Sequence, residues 1–309
     1  MVKVAIAGGT GDLGRTIVEV MENHPHHQAI ILSRKPKEPV AGAPVLVVDY
    51  TDVAALTRTL EENGIHTVIS ALGYHGDSLA TAQLNLIRAA AASAPTKRFA
   101  PSAYAVRYPR SACAMLPTLN DYFGAIDALR ASGLEWTVFL NGLFLDYFSH
   151  PHARSYLKPL CFAIDLASCK AAIPGDGEQK VTFTYTFDVA RFVVAALDLE
   201  VWEEESCIAG DTVTWNEFVR MAEEVRGTKF NVVYDDVEKL KRGELTELPG
   251  HVATYGSFPK ELFQGFMSMF EQFTTDEKIS VVPPELNKKF PEIKPLTVRE
   301  MLKQYWADK

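Results

Sequence analysis

The chain has 309 residues, of which 47% are hydrophobic and 23% charged, a balance that supports a packed interior and excludes a disordered or fibrous protein. Its 31 basic and 39 acidic side chains leave a net charge of −8, which repels a polyphosphate on average and argues against a nucleic-acid partner, although a local basic patch can still hold one phosphate. No apolar run reaches the ~18 residues of a membrane-spanning helix, and Cys113, Cys161, Cys169 and Cys207 include no CxxC pair, so they read as reduced, mostly packed thiols of a cytoplasmic protein.

Residues 1–7 form a β-branched run that enters Gly8-Gly9-Thr10-Gly11-Asp12-Leu13-Gly14 and then the helical spacing of Ile17, Val20 and Met21. The chain thus opens as strand, turn and helix, with no cleavable leader expected. An apolar run at 29–32 ends in Ser33-Arg34-Lys35. Another at 45–48 ends in Asp49-Tyr50-Thr51-Asp52, where Asp52 is placed to cap a helix over 53–60. A strand at 67–71, an Ala-rich helix at 78–92, a strand at 98–101, a helix at 121–131 and a strand at 136–140 follow. Such alternation predicts an α/β fold with a doubly wound parallel sheet, whose ligands sit at the carboxyl ends of the strands. Beyond Phe148 the rhythm breaks into Pro- and Gly-containing loops, and residues 182–199 restore a strand and a helix. The expected division is a nucleotide-binding domain over 1–148, rejoined by 181–200, with 149–180 and 201–309 forming a smaller substrate-binding cap.

The glycine loop follows a strand and opens a helix, which is the context a dinucleotide site requires: glycine lets the backbone approach a pyrophosphate, and the free amides of the helix start face its charge. Gly8, Thr10, Gly11, Asp12, Leu13 and Gly14 are the candidates, at the spacing GxxGxxG. The second strand ends in Ser33, Arg34 and Lys35, with no acid to take a ribose 2′-hydroxyl and a guanidinium able to grip a 2′-phosphate, so NADP(H) is the expected cofactor. Asp49 and Tyr50 are placed to meet the adenine, with packing on the sheet edge an equal alternative for Tyr50. Ala71, Leu72 and Gly73 are placed beside the nicotinamide ribose.

The glycine loop, Ser33-Arg34, Asp49-Tyr50-Thr51-Asp52, Arg98-Phe99-Ala100-Pro101-Ser102, Gly133-Leu134-Glu135-Trp136-Thr137, Asn141-Gly142-Leu143-Phe144 and Tyr185-Thr186-Phe187-Asp188-Val189-Ala190-Arg191-Phe192 together resemble the NmrA-like and isoflavone-reductase-like atypical short-chain dehydrogenases. The resemblance covers roughly the first 200 residues. It implies an NADP-binding Rossmann domain with a variable cap and, in most members, reduction of a phenylpropanoid- or polyketide-like small molecule in secondary metabolism. Some members sense the nicotinamide redox state without turnover, and others do non-redox work such as isomerisation or ring closure. It also brings Pro101 and Ser102 to the cofactor.

The chain departs from that pattern at the chemistry. Family reductases carry Pro-Ser-Glu-Phe-Gly where this chain has Pro101-Ser102-Ala103-Tyr104-Ala105, and their lysine falls at about Tyr122, with no lysine between Arg98 and Lys158. The Tyr-x-x-x-Lys dyad of ordinary short-chain dehydrogenases matches only Tyr305 to Lys309, at the end of the chain. Tyr122, Tyr104 and His75 are the remaining candidate proton donors, each with a packing or exposed-loop alternative. Asn141, Phe144, Tyr147 and Phe148 are candidates for the substrate pocket, and the aromatic content of this region favours a flat apolar substrate. His24, His26 and His27 lie on the amino side of the sheet with no carboxylate or thiol at ligand spacing, and no metal is expected. A monomer or homodimer acting on a small aromatic molecule is the expected assembly.

Overall fold

A computed structural model describes residues 2–73, 79–256 and 258–309. The first half is built from β1 (Val2–Ala7), α1 (Asp12–Met21), β2 (His27–Ser33), β3 (Val45–Val47), α2 (Val53–Glu62), β4 (Thr67–Ser70), α3 (Leu84–Ala92), β5 (Arg98–Ala100), α4 (Leu119–Arg130) and β6 (Glu135–Trp136). The strands pair in the order β3-β2-β1-β4-β5-β6, all parallel. This is the doubly wound Rossmann order, in which the chain winds outward from β1 on one side and returns to wind outward on the other. The direction reverses between β1 and β4, and a crevice opens there at their carboxyl ends.

The inner strands are covered on both faces. Val4, Ala5, Ile6 and Ala7 are fully buried, giving a continuous apolar run rather than alternation. On one face, Leu56 and Leu60 of α2, Leu86 of α3 and Ile126 of α4 pack with Phe99. On the other, Ile17 and Val18 of α1 pack with Ile6 and Ile31. Asp52 caps α2 as expected, its carboxylate accepting from the Ala55 amide at 2.9 Å.

The second half contributes β7 (Val138–Leu140), β8 (Leu143–Phe144), α5 (Asp146–Ser149), β9 (Ile164–Asp165), β10 (Lys170–Pro174), β11 (Lys180–Thr184), α6 (Thr186–Ala196), β12 (Glu205–Cys207), β13 (Asp211–Thr214), α7 (Trp215–Arg226) and β14 (Asn231–Asp235). Val189, Phe192 and Val193 of α6 pack on the α1 face. β11 pairs with β8 and β13 in a three-stranded sheet, and β12 lies parallel to β7 in a two-stranded one. A second core of Phe148, Phe183, Trp215, Phe218, Phe263 and Trp306 lies beneath α7, helix Lys260–Phe273 and helix Val298–Trp306.

Two buried carboxylates hold α6 in place. Asp146 accepts from Ser155 Oγ at 2.6 Å and from the amide and hydroxyl of Thr186 at 2.9 and 2.6 Å. Asp188 in α6 pairs with Arg191 and accepts the Leu296 amide at 2.7 Å. Burial raises the Asp188 carboxyl from 3.8 to about 6, with the Leu296 amide and Arg191 opposing. The folded state therefore holds more protons than the unfolded one between these values, and stability falls as pH rises through them, by about 3 kcal/mol in the limit. Asp188→Asn is expected to flatten that part of the profile. Urea unfolding of both proteins from pH 4 to 7 checks this, and parallel profiles would contradict it.

Candidate functional site

β1 runs directly into the glycine turn, and each glycine there has a distinct duty. Gly8 has φ of +83°, and a Cβ on it would lie 2.4 Å from the Ala71 carbonyl oxygen, so the turn rests on the exit of β4. A Cβ on Gly14 would lie 2.4 Å from the Gly8 oxygen, so α1 in turn rests on the loop. Gly11 is in extended backbone, and a Cβ there would meet no atom within 4 Å. Gly8 and Gly14 serve the fold, whereas Gly11 faces open space. The first hydrogen bond of the helical type runs from Arg15 N to Gly11 O, leaving the first-turn amides of Asp12, Leu13 and Gly14 ahead of it. The Leu13 side chain packs inside with Ile17 and Val18, so it can serve a ligand only through its backbone. Asp12 has φ of +46°, a costly conformation of the kind found at ligand clamps.

From this turn a cleft of about 1100 Å³ follows the carboxyl ends of β2 and β3 and reaches Ala71, Leu72 and Gly73 beyond β4. Arg34, Lys35 and Lys37 line its outer end. No hydrogen bond or ion pair joins Arg34 to another described residue, so its guanidinium is available. Ser33 shapes the turn by donating its hydroxyl to the Lys35 oxygen at 2.8 Å. The Asp49 carboxylate is occupied by the Thr51 hydroxyl and amide, at 2.7 and 2.8 Å, and these bonds hold its pKa below the usual value. Tyr50 is buried, and its hydroxyl donates to the Leu32 carbonyl at 3.2 Å. Of its two readings the structure shows the packed one, leaving only part of its surface on the cleft. Val47 is 56% exposed and lies in the same wall, as do Val48, Thr81 and Ala82. Sequence reasoning missed these four and Lys37. An exposed valine at the end of a strand was the available signal.

A smaller hollow of about 660 Å³ shares Thr10 and Lys37 with this cleft. Its arginines are engaged: Arg15 and Arg154 both pair with Glu19, at 3.4 and 2.5 Å.

At the inner end, Ser102 donates its hydroxyl to Leu72 O at 2.9 Å and its amide to Gln83 Oε1 at 2.7 Å. Pro101 and Ser102 are buried outside the cleft lining, and Ser102 supports Leu72 from behind. Ser70 Oγ, Gln83 Nε2, Tyr104 OH and Asn141 Oδ1 are buried without a partner among the described residues. All four lie at or just beyond the carboxyl ends of β4, β5 and β7 or on the turn Leu79–Gln83. Unpaired buried polar atoms carry a desolvation cost. Amides at the turn and unpaired cations at one end of the cleft fit a dinucleotide carrying a 2′-phosphate.

The candidate proton donors are not brought together. Tyr104 stacks on Phe139, with ring centres 6.1 Å apart, against the cluster on the α1 face, and burial pushes its phenol up. Tyr122 is buried in the cluster on the opposite face and meets Tyr108 edge-on at 5.9 Å. His75 lies outside the described residues. Among the substrate candidates, Asn141 is fully buried, its amide donating to Gly142 O at 3.2 Å. Phe148, expected at the substrate pocket, is buried in the second core against Phe183, Trp215 and Phe218.

Phe144 and Tyr147 have a different setting. They meet at 6.1 Å and begin a chain of rings that continues through Phe162 at 5.9 Å and Phe270 at 5.7 Å. From Phe270 it passes to Phe273 at 6.1 Å, Tyr108 at 5.3 Å and then Tyr122. Phe144, Tyr147 and Phe270 are half-buried, so this aromatic arc is not sealed. Burial pushes the Tyr147 phenol up, and the charges of Asp146 and of Asp12 in the glycine turn add to the shift.

The model of the family described as NmrA-like matches residues 2–302. Oxidoreductase BOA1 of Botryotinia fuckeliana is 36% identical over 298 residues, covering 96% of both chains. Isoflavone reductase homolog IRL of Zea mays is 27% identical, covering 98% of both. A binary complex of leucoanthocyanidin reductase with NADPH, from Vitis vinifera, superposes with a TM-score of 0.72 at 21% identity, covering 99% of this chain and 100% of that one.

Proposed function

The chain belongs to the NmrA-like family, and from that premise we propose that it is an NADPH-dependent reductase of a flat aromatic or conjugated small molecule, working in secondary metabolism. The observation that carries this reading is one cleft with helix-start amides in its middle and free cations at one end, whose inner residue Leu72 packs in the same cluster as Tyr108, Tyr122 and Phe270 of the aromatic arc. NADPH, when bound, supplies a hydride from its nicotinamide ring.

The residues of the chain bind and orient. The amides of Asp12, Leu13 and Gly14 neutralise the diphosphate, aided by the helix dipole. Arg34, with Lys35 and Lys37, takes the 2′-phosphate. Leu72, fixed from behind by Ser102, borders the space for the nicotinamide nucleoside. The arc from Phe144 to Tyr122 holds a planar substrate by its faces and keeps water out, so that position supplies much of the rate. Tyr122 ends that arc at the place of the family's lysine, and we assign it the proton donor's role over Tyr104, whose ring is stacked on Phe139 on the other side of the sheet.

Oxidation of NADPH in the presence of a panel of aromatic enones, quinones and benzylic ethers tests the activity. Tyr122→Phe is expected to lower kcat by about 100-fold or more, and Tyr104→Phe to leave it within a few-fold. A large kcat loss only in Tyr104→Phe would move the donor to that residue. Conversion of substrate with no NADPH consumed would replace the reductase with an isomerase or cyclase, and NADPH binding coupled to capture of a partner protein without turnover would make it a sensor.

A further inference from the structure

The turn between α1 and β2 brings His24, His26 and His27 together, and Glu22, two positions before His24, is the nearest acid in the sequence. The fold supplies another. Asp198, 171 positions further on and just past α6, reaches this turn and places Oδ1 3.0 Å from His27 Nε2. The His24 and His27 rings stack with centres 4.5 Å apart and planes 16° from parallel. One donor atom each of His24, His27 and Asp198 lies within 4.8 Å of the other two.

We propose that His24, His27 and Asp198 form a binding site for one divalent transition-metal ion of the zinc type. Two imidazoles and one carboxylate are a donor set that zinc accepts, whereas calcium and magnesium require shells of oxygen. Stacked imidazoles at this separation repel when both are protonated, and a shared cation takes both in the neutral form. The site is partly built. The His27 side chain is 2% exposed and fixed, while Asp198 at 52% and half-buried His24 retain the freedom to close around an ion at ~2.0–2.2 Å. Exposed His26, its ring 6.1 Å from that of His24, stands beside the remaining coordination positions, which water can fill.

His27 opens β2 at its amino end, whereas Ser33 and Arg34 at the other end meet the cleft. The ion therefore lies away from the chemistry. It fastens the end of α1 and the start of β2 to the end of α6, three elements of one face, and acts as a staple with no part in the reaction.

The test uses the full chain without a polyhistidine tag. Zn²⁺ is titrated in competition with a chromophoric chelator, and Co²⁺ binding is followed by its visible absorption. One equivalent of Zn²⁺ is expected to bind and raise the melting temperature. His24→Gln and Asp198→Asn are each expected to weaken it about tenfold or more, with NADPH affinity unchanged. Both positions are more exposed than His27, so the variants retain the fold, which circular dichroism checks. No uptake by the wild type, equal uptake by Asp198→Asn, or the thiolate-to-cobalt bands of a cysteine site would each overturn the proposal.

Discussion

Gly11→Val is expected to weaken NADPH binding by at least about 100-fold while changing unfolding stability by no more than about 1 kcal/mol. The backbone there is extended, with φ of −149°, and a β-branched residue adopts it without strain. A Cβ at this position meets nothing within 4 Å, so the new side chain disturbs no protein contact. It occupies the space in front of the amides of Asp12, Leu13 and Gly14, where charge-assisted hydrogen bonds to a diphosphate must form. Gly14→Ala provides the contrast. Its methyl would lie 2.4 Å from the Gly8 oxygen, a backbone atom that cannot turn aside. That variant should lose about 1–3 kcal/mol of stability together with the cofactor. Isothermal titration with NADPH and urea unfolding of both variants separate the two effects. Equal stability losses would show that Gly11 also serves the fold, and full NADPH affinity in Gly11→Val would remove the diphosphate from this turn.

Arg34→Ala is expected to weaken NADPH by roughly 10–100-fold, the range for charge-assisted hydrogen bonds to a phosphate, and to leave NADH nearly unchanged. The two cofactors differ only in the 2′-phosphate, so their ratio isolates that contact from the rest of the cleft. Arg34 forms no competing bond with a described residue, and its removal leaves no orphaned partner in the protein. Lys35 and Lys37 remain in the same wall and account for a residual preference. Raising the salt concentration should shrink the wild-type preference, since exposed charges are screened. Equal losses for NADPH and NADH would place Arg34 elsewhere in cofactor recognition.

The sheet was legible because its inner strands β1 and β4 are buried on both faces and print short, largely apolar runs. The glycine turn was legible because its neighbours, a strand and a helix, constrain what such a turn can be. Asp52 was found through its place ahead of a helical period. Legibility fails where pairing is decided by distant, short segments. β12 follows the acidic Glu203 and Glu204 and is only three residues long, so its pairing is set by β7 and not by its own pattern. β11 resembles a sheet strand in composition, yet it finds β8 and β13. Tyr147 and Phe148 are neighbours in a helix of four residues, too short for a period to show which of them faces the core. Phe270 and Phe273 read as a buried helical stripe, and only the packing of helix Lys260–Phe273 on Phe162 and Tyr108 joins them to the arc. Asp198 is invisible to any local reading of the histidine turn, since 171 positions separate it from His27.

The proposed reductase activity depends on one ligand lying along one cleft. A crystal structure of the chain soaked with NADP⁺ tests this most directly. The diphosphate should sit against the amides of Asp12, Leu13 and Gly14, with the 2′-phosphate on Arg34 and the nicotinamide ring beside Leu72, facing the aromatic arc. A cofactor whose adenine lies beside Leu72 and whose nicotinamide lies at Arg34, or density confined to the smaller hollow around Arg15 and Arg154, would contradict the account.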